Sequence, residues 1–247
     1  MMLHYQIIGS GPVIVCLHGF LESSNMWKMI NWKKLGLQAL LIDLPGHGKS
    51  TFSPENDDPC LSYPVREILN LLKTLEIKEY HIIGHSLGGY ISLEIKKSDS
   101  RCKKNILLNS NYWTDNKEKK KDRIRVADVV FKSKSLFLKQ AIPSLFLNPK
   151  KNENAIHSLL DLAFNYSSES IAYYSLAMRN RNNHSKNIDS HDFIIQGKKD
   201  PALNRKLFND CQKLYGNRLY IEEKSGHMTL YENPSFIESA ISEILLD

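Results

Sequence analysis

The 247-residue sequence holds only four cysteines, Cys16, Cys60, Cys102 and Cys211, scattered without a C-x-x-C pair or zinc-ligand spacing. A chain of this length buries enough core to do without disulfide staples, so the four read as unpaired thiols in a reducing compartment. Long hydrophobic runs are missing too. The longest, "VIVCL" (13–17) and "ALLI" (39–42), fall far short of the roughly 18 apolar residues that span a bilayer. The N-terminus "MMLHYQIIGSG" lacks a basic segment followed by a long apolar stretch and a small-residue cleavage site. It does not read as a secretory signal, and a cytoplasmic protein is expected. Acidic charge is in deficit, with 33 Lys and Arg against 27 Asp and Glu, a formal +6. Much of that excess sits in "NKEKKKDR" (116–123), where Glu118 and Asp122 interrupt the basic residues and no aromatic stands ready to stack on a base. A solvated helix face is expected there rather than a nucleic-acid surface.

What is present is an alternation. Short aliphatic runs, each followed by a turn signal and then a helical pattern, argue for an α/β fold with a mostly parallel sheet covered by helices. The strands are expected at 12–19, 38–46, 80–86, 105–110, 192–200 and 218–227. Val65, Ile68, Leu69, Leu72 and Leu75, and later Phe236, Ile237, Ile241, Ile244 and Leu245, recur at helical spacing and should lie against the sheet. Between about Asn111 and Asn187 the pattern is only helical: Ile124, Ala127, Val130 and Phe131, then Leu136, Leu138, Ala141 and Ile142, with two further stripes after them. This stretch reads as a helical insertion.

In open parallel sheets ligands bind beyond the carboxyl ends of the strands, and four of those ends carry chemistry. "GHSLG" (84–88) matches G-x-S-x-G between a strand and an amphipathic segment, a turn that exposes Ser86 at its apex. "CLHGF" (16–20) lets the N–H of Phe20 point at the same spot as the N–H of Leu87, two donors that make an oxyanion hole. His18 is read as a structural hydrogen-bonder, and His85, although next to the serine, is not taken as its base. "GKKDPAL" (197–203) ends a strand at Asp200, and "KSGHMTLYENP" (224–234) places His227 after the last one. A serine needs a histidine to remove its proton, and that histidine needs a carboxylate to fix its tautomer. The order Ser86, Asp200, His227 fits this arrangement. Taken singly, Asp200 could be a helix cap and His227 a loop residue. Asp115 is the rival acid, disfavoured because it lies inside the insertion.

With "DLPGHGKS" (43–50) added to these motifs, the sequence resembles the α/β-hydrolase superfamily, in particular its small, cofactor-independent esterase-like members. The likeness covers the chain outside 111–187. It implies a core domain of 1–110 and 188–247 with a helical cap of 111–187 over the serine. It implies cleavage of a small-molecule carboxylic ester through an acyl-enzyme, with no metal or organic cofactor, while composition and run length already argue against nucleic acid or membrane as partner. Asp43 and His47 carry over as scaffold residues. Serine at position 86 argues against the haloalkane dehalogenases and epoxide hydrolases, which use an aspartate nucleophile. Substrate contacts are expected from Trp113, Phe131, Phe137 and Met228, while most other apolar residues of the insertion pack its own core. Two alternatives share the fold. One is a pathway-specific lyase or carbon-carbon bond hydrolase on a carboxylate-bearing substrate, held by arginines among Arg123, Arg125, Arg179 and Arg181, although each of these is expected in solvent. The other is a non-catalytic small-molecule binding or receptor protein.

Overall fold

The computed structural model describes residues 3–54, 58–203 and 205–246. Seven strands, β1 (Tyr5–Ile8), β2 (Val13–Leu17), β3 (Gln38–Ile42), β4 (Tyr80–His85), β5 (Cys102–Leu108), β6 (Asp192–Gly197) and β7 (Leu219–Glu222), form one sheet. Their order is β1-β3-β2-β4-β5-β6-β7. Every pair is parallel except β1 with β3, which is antiparallel at the edge. The sequence pattern does not foretell β1: "YQII" is short, lies at the sheet's rim and leaves Ile7 exposed.

The central strands are apolar on successive residues because both their faces are covered. On β2, Val15 and Leu17 enter one core with α1 (Ser62–Thr74) and α2 (Leu87–Ser98), while Ile14 and Cys16 enter another with Trp27, Trp32 and the C-terminal helix. Burying each such aliphatic side chain contributes about 1.5–3 kcal/mol.

Between β5 and β6 come α3 (Lys117–Ser144), α4 (Glu153–Phe164) and α5 (Ser168–Arg179), without a strand among the described residues. Three more helices follow: α6 (Arg205–Tyr215), α7 (Thr229–Glu232) and α8 (Pro234–Leu246). On α8, Ile237, Ile241 and Ile244 are buried against the sheet, as their spacing predicts. On α3 the expected stripe fails in part. Ala127, Val130, Leu138 and Ile142 are buried, but Ile124, Phe131 and Leu136 are exposed. Helical geometry is lost at Ser133 (φ −151, ψ 46). Within the first half Ile124 and Phe131 stand at the rim of the face set by Ala127 and Val130, and within the second Leu136 lies nearly opposite Leu138, so none of the three shares the buried face.

No described helix is long and apolar enough to cross a membrane. Among the described residues no group of three or more His, Cys, Asp or Glu is placed to hold a metal ion, and all four cysteines are free.

Candidate active site

Strand β4 lies between β2 and β5 and delivers Ser86 at its carboxyl end. Ser86 has φ 50 and ψ −110, a left-handed conformation that strains a residue with a side chain. The chain holds it there by close packing. A Cβ at Gly84 would come within 2.3 Å of the backbone of Gly88, and one at Gly88 within 2.4 Å of the Leu17 carbonyl oxygen. Side chains at either position would force the turn open. Ser86 N–H donates to Leu108 O at 3.0 Å, and Ser110 Oγ donates to Ser86 O at 2.7 Å.

The loops after β6 and β7 bring Asp200 and His227 together, with His227 Nδ1 2.8 Å from Asp200 Oδ2. The same oxygen accepts from Gln196 Nε2 at 2.9 Å and Asn109 Nδ2 at 3.2 Å, and Oδ1 accepts from Ala202 N–H at 2.7 Å. Burial pushes the Asp200 carboxyl up, but His227 and these donors outweigh it and hold it below the ordinary carboxylate range. A carboxylate bound this way keeps the His227 proton on Nδ1 and leaves Nε2 as an acceptor. Ser86, His227 and Asp200 line one cavity of about 420 Å³. No hydrogen bond joins Ser86 Oγ to His227 among the described residues.

The loop after β2 supplies the other wall. His18 Nδ1 lies 2.8 Å from Gly19 O, and Leu44 N–H donates to His18 Nε2 at 3.0 Å. A carbonyl partner on one side and an N–H partner on the other fix a single neutral tautomer. Burial keeps the imidazole from charging, against the pull of Asp43. Glu22 N–H also reaches Gly19 O, at 3.3 Å. With that carbonyl held, the planar trans peptide turns the Phe20 N–H the opposite way, and Phe20 lines the cavity. Leu87 opens α2, so its N–H has no intrahelical acceptor. Among the described residues neither N–H has a hydrogen-bond partner. Asp43 binds the Ser24 and Lys49 N–H groups and His4, and lies outside the cavity lining. His47 is buried between the rings of His18, Tyr166 and Tyr174, and burial, aided by His18, pushes it down to about 3.

Comparison with known proteins matches residues 12–234 to the model of the alpha/beta hydrolase fold family. The chain belongs to the alpha/beta hydrolase fold family. A thermophilic esterase from Thermogutta terrifontis, solved with malate bound, superposes with a TM-score of 0.88 at 21% identity, over 99% of this chain and 93% of that one. The curated relatives match over a much shorter stretch. Bifunctional epoxide hydrolase 2 of Sus scrofa is 31% identical over 91 residues, 36% of this chain and 16% of its own length. The 2-succinyl-6-hydroxy-2,4-cyclohexadiene-1-carboxylate synthase of Yersinia pestis is 37% identical over 84 residues, 34% of this chain and 30% of its own.

The roof of the cavity comes from the helical segment after β5. Trp113 and Phe137 line it, with Lys119, Arg123, Met178 and Arg181. Two of the residues expected as substrate contacts do not reach it. Phe131 is 58% exposed, carried outward just ahead of the Ser133 kink. Met228 is fully buried, its side chain packed with Leu21, Ile142 and Phe146 beneath the segment. The arginines also depart from expectation. Arg123 Nε and Arg181 Nη2 bind the two oxygens of Asp115 at 3.1 and 2.8 Å, and no histidine bonds to that carboxylate among the described residues. Arg181 further donates to Trp113 O and Met178 O and lies 4.1 Å from the Tyr90 ring centroid. Arg125 stays in solvent. Lys119 has no hydrogen-bond or ion-pair partner for its ammonium among the described residues, and burial with Arg123 nearby pushes that ammonium down.

Three polar residues around the site escaped the sequence reading, Glu22, Asn109 and Gln196, and His85 is read there only as not being the base. Asn109 alone left a trace, as the polar residue directly after the apolar run of β5, and it takes a positive φ of 44.

Proposed function

We propose that this protein is a serine hydrolase of carboxylic esters, and that Ser86, His227 and Asp200 act as one unit. The observation that carries the reading is the 2.8 Å contact of His227 with Asp200 in the same cavity as a serine at a strained strand-to-helix turn. Nε2 of His227 is the general base for Ser86 Oγ, both residues lining the same cavity. The imidazole takes the hydroxyl proton as Oγ attacks the ester carbonyl, and Asp200 stabilises the imidazolium. The N–H groups of Phe20 and Leu87 hold the tetrahedral oxyanion. Collapse expels the alcohol, which leaves with the proton from His227, and an acyl-enzyme remains. Water, deprotonated by the same histidine, releases the acid and restores Ser86. The superposable Thermogutta terrifontis esterase supports ester chemistry on this fold.

Ser86→Ala should lower turnover of p-nitrophenyl acetate by about 10³-fold or more without lowering the thermal midpoint. Undiminished turnover would remove Ser86 as the nucleophile.

A second reading, chemistry on a carboxylate-bearing substrate, is favoured by the roof: Lys119, Arg123 and Arg181 face one carboxylate, Asp115. The short match to the Yersinia pestis synthase points the same way. Comparing kcat/KM for p-nitrophenyl esters of a neutral acid and of a dicarboxylic acid of equal chain length separates the two readings. A preference for the acidic ester supports the second.

A further inference from the structure

His85 immediately precedes Ser86 and is wholly buried, as is Glu22 in the loop after β2. His85 Nδ1 lies 2.9 Å from Glu22 Oε2, and His85 Nε2 lies 2.9 Å from the backbone carbonyl oxygen of His227. A carbonyl only accepts, so Nε2 carries a proton. Glu22 Oε2 also accepts the Gly19 N–H at 2.6 Å, as short as bonds to an ionised carboxylate are, and a carboxylate only accepts, so Nδ1 carries a proton as well. Both ring nitrogens donate, which makes His85 an imidazolium beside a carboxylate. The electrostatics agree. Burial alone would push His85 down, but the charge and hydrogen bond of Glu22 outweigh it and raise it. Burial pushes Glu22 up, and His85 with the Gly19 N–H brings it below the usual range.

The pair joins the three loops on which the chemistry rests. Glu22 holds Gly19, one residue before the Phe20 donor. His85 is the residue before the nucleophile, and through its far nitrogen it holds the backbone of His227, whose own N–H donates to Leu145 O at 3.0 Å. Tyr166 adds a fourth contact by donating to Glu22 O at 2.7 Å. The other groups facing the pair are the His227 ring, centred 5.1 Å from that of His85, together with Asp200, His18 and Tyr231.

We propose that His85 and Glu22 form a permanently charged positioning pair, which keeps the oxyanion loop, the Ser86 turn and the His227 loop in register. Its charge, beyond the space it fills, sustains the reactivity of Ser86. This rests on the serine-hydrolase reading above. Neutralise Glu22 and burial takes the second proton from His85 near neutral pH. One of its two hydrogen bonds is then lost, and either the Gly19 side or the His227 side drifts. Misplacement on the scale of an ångström costs on the order of 10- to 100-fold in rate.

The test is the second-order rate at which a fluorophosphonate labels Ser86, which requires the activated serine and the oxyanion donors but no particular substrate. Wild type, Glu22→Gln and Glu22→Asp are compared from pH 5.5 to 8. Glu22→Gln keeps the volume and an acceptor for Gly19 and should label on the order of 10- to 100-fold more slowly at pH 8. Its rate relative to wild type should climb severalfold as pH falls, because only the variant regains a proton on His85. Glu22→Asp keeps the charge and should recover most of the rate, with a ratio independent of pH. A Glu22→Gln ratio that is near one, or low but flat with pH, overturns the proposal. So does a neutral His85 ring at pH 7 in the ¹⁵N spectrum of histidine-labelled wild type, an arm that needs no variant to fold. A wild type that never labels contradicts the serine-hydrolase reading instead, and the spectrum still decides the charge of the pair.

Discussion

The sheet core and the helical segment between β5 and β6 hold their cavity residues in different ways. In the core each candidate group stands at a strand's carboxyl end and is fixed by several buried hydrogen bonds: Ser86 by Leu108 and Ser110, Asp200 by His227, Gln196, Asn109 and Ala202. In the helical segment one buried carboxylate, Asp115, braces two arginines, and Lys119 lines the cavity with no bonded partner among the described residues. Charge divides the same way. Residues 111–187 contain fourteen of the 33 Lys and Arg but only seven of the 27 Asp and Glu, so the rest of the chain is close to neutral. The lesson is a division of labour: a neutral, tightly hydrogen-bonded floor suited to moving protons, under a cationic roof suited to choosing what lies above it.

Substitutions on the two sides sharpen that contrast. The largest effect is expected from Asp200→Asn, which preserves shape but lets His227 adopt the wrong tautomer. Turnover should fall by about 10³- to 10⁴-fold, read from kcat on an activated ester. A loss below tenfold would detach Asp200 from the chemistry. On the roof, Arg181→Met removes one of two partners from Asp115 and leaves a buried charge undercompensated. Stability measured by urea denaturation should drop by about 3 kcal/mol, and an unchanged midpoint would show that Arg123 alone suffices. Smallest is Phe131→Ser, at an exposed position of the same segment. Stability should change by no more than about 0.5 kcal/mol and KM should hold. A raised KM would return Phe131 to the substrate path.

The floor was the more legible half because its residues are bound to local motifs. A β-strand ending in Gly84-His85-Ser86-Leu87-Gly88 announces its turn, and Asp200 and His227 follow strands whose apolar runs are plain. The cores of α1 and α8 were equally readable from Ile68, Leu72, Ile237 and Ile241, where one helical phase persists from end to end. The roof resisted because an apolar residue at the rim of a helix face, as Phe131 is, or on its far side, as Leu136 is, looks like part of the stripe and is not buried. Arg123 and Arg181 look like solvent charges until Asp115 is seen between them. Glu22 and His85 are 63 positions apart, and no local pattern announces a pair that only folding creates.

The single hydroxyl of Tyr166 bridges the two regions. It accepts the Gly48 N–H at 2.9 Å and donates to Glu22 O at 2.7 Å. Both bonds share one oxygen, so pulling that stretch of the roof off the floor breaks them in the same stroke and not one after the other. Other bonds cross the same seam, among them Ser170 Oγ to Gly46 O, Tyr173 Oη to Cys60 O and His227 N–H to Leu145 O, so the phenol is one fastening among several, and the one whose two bonds stand or fall together.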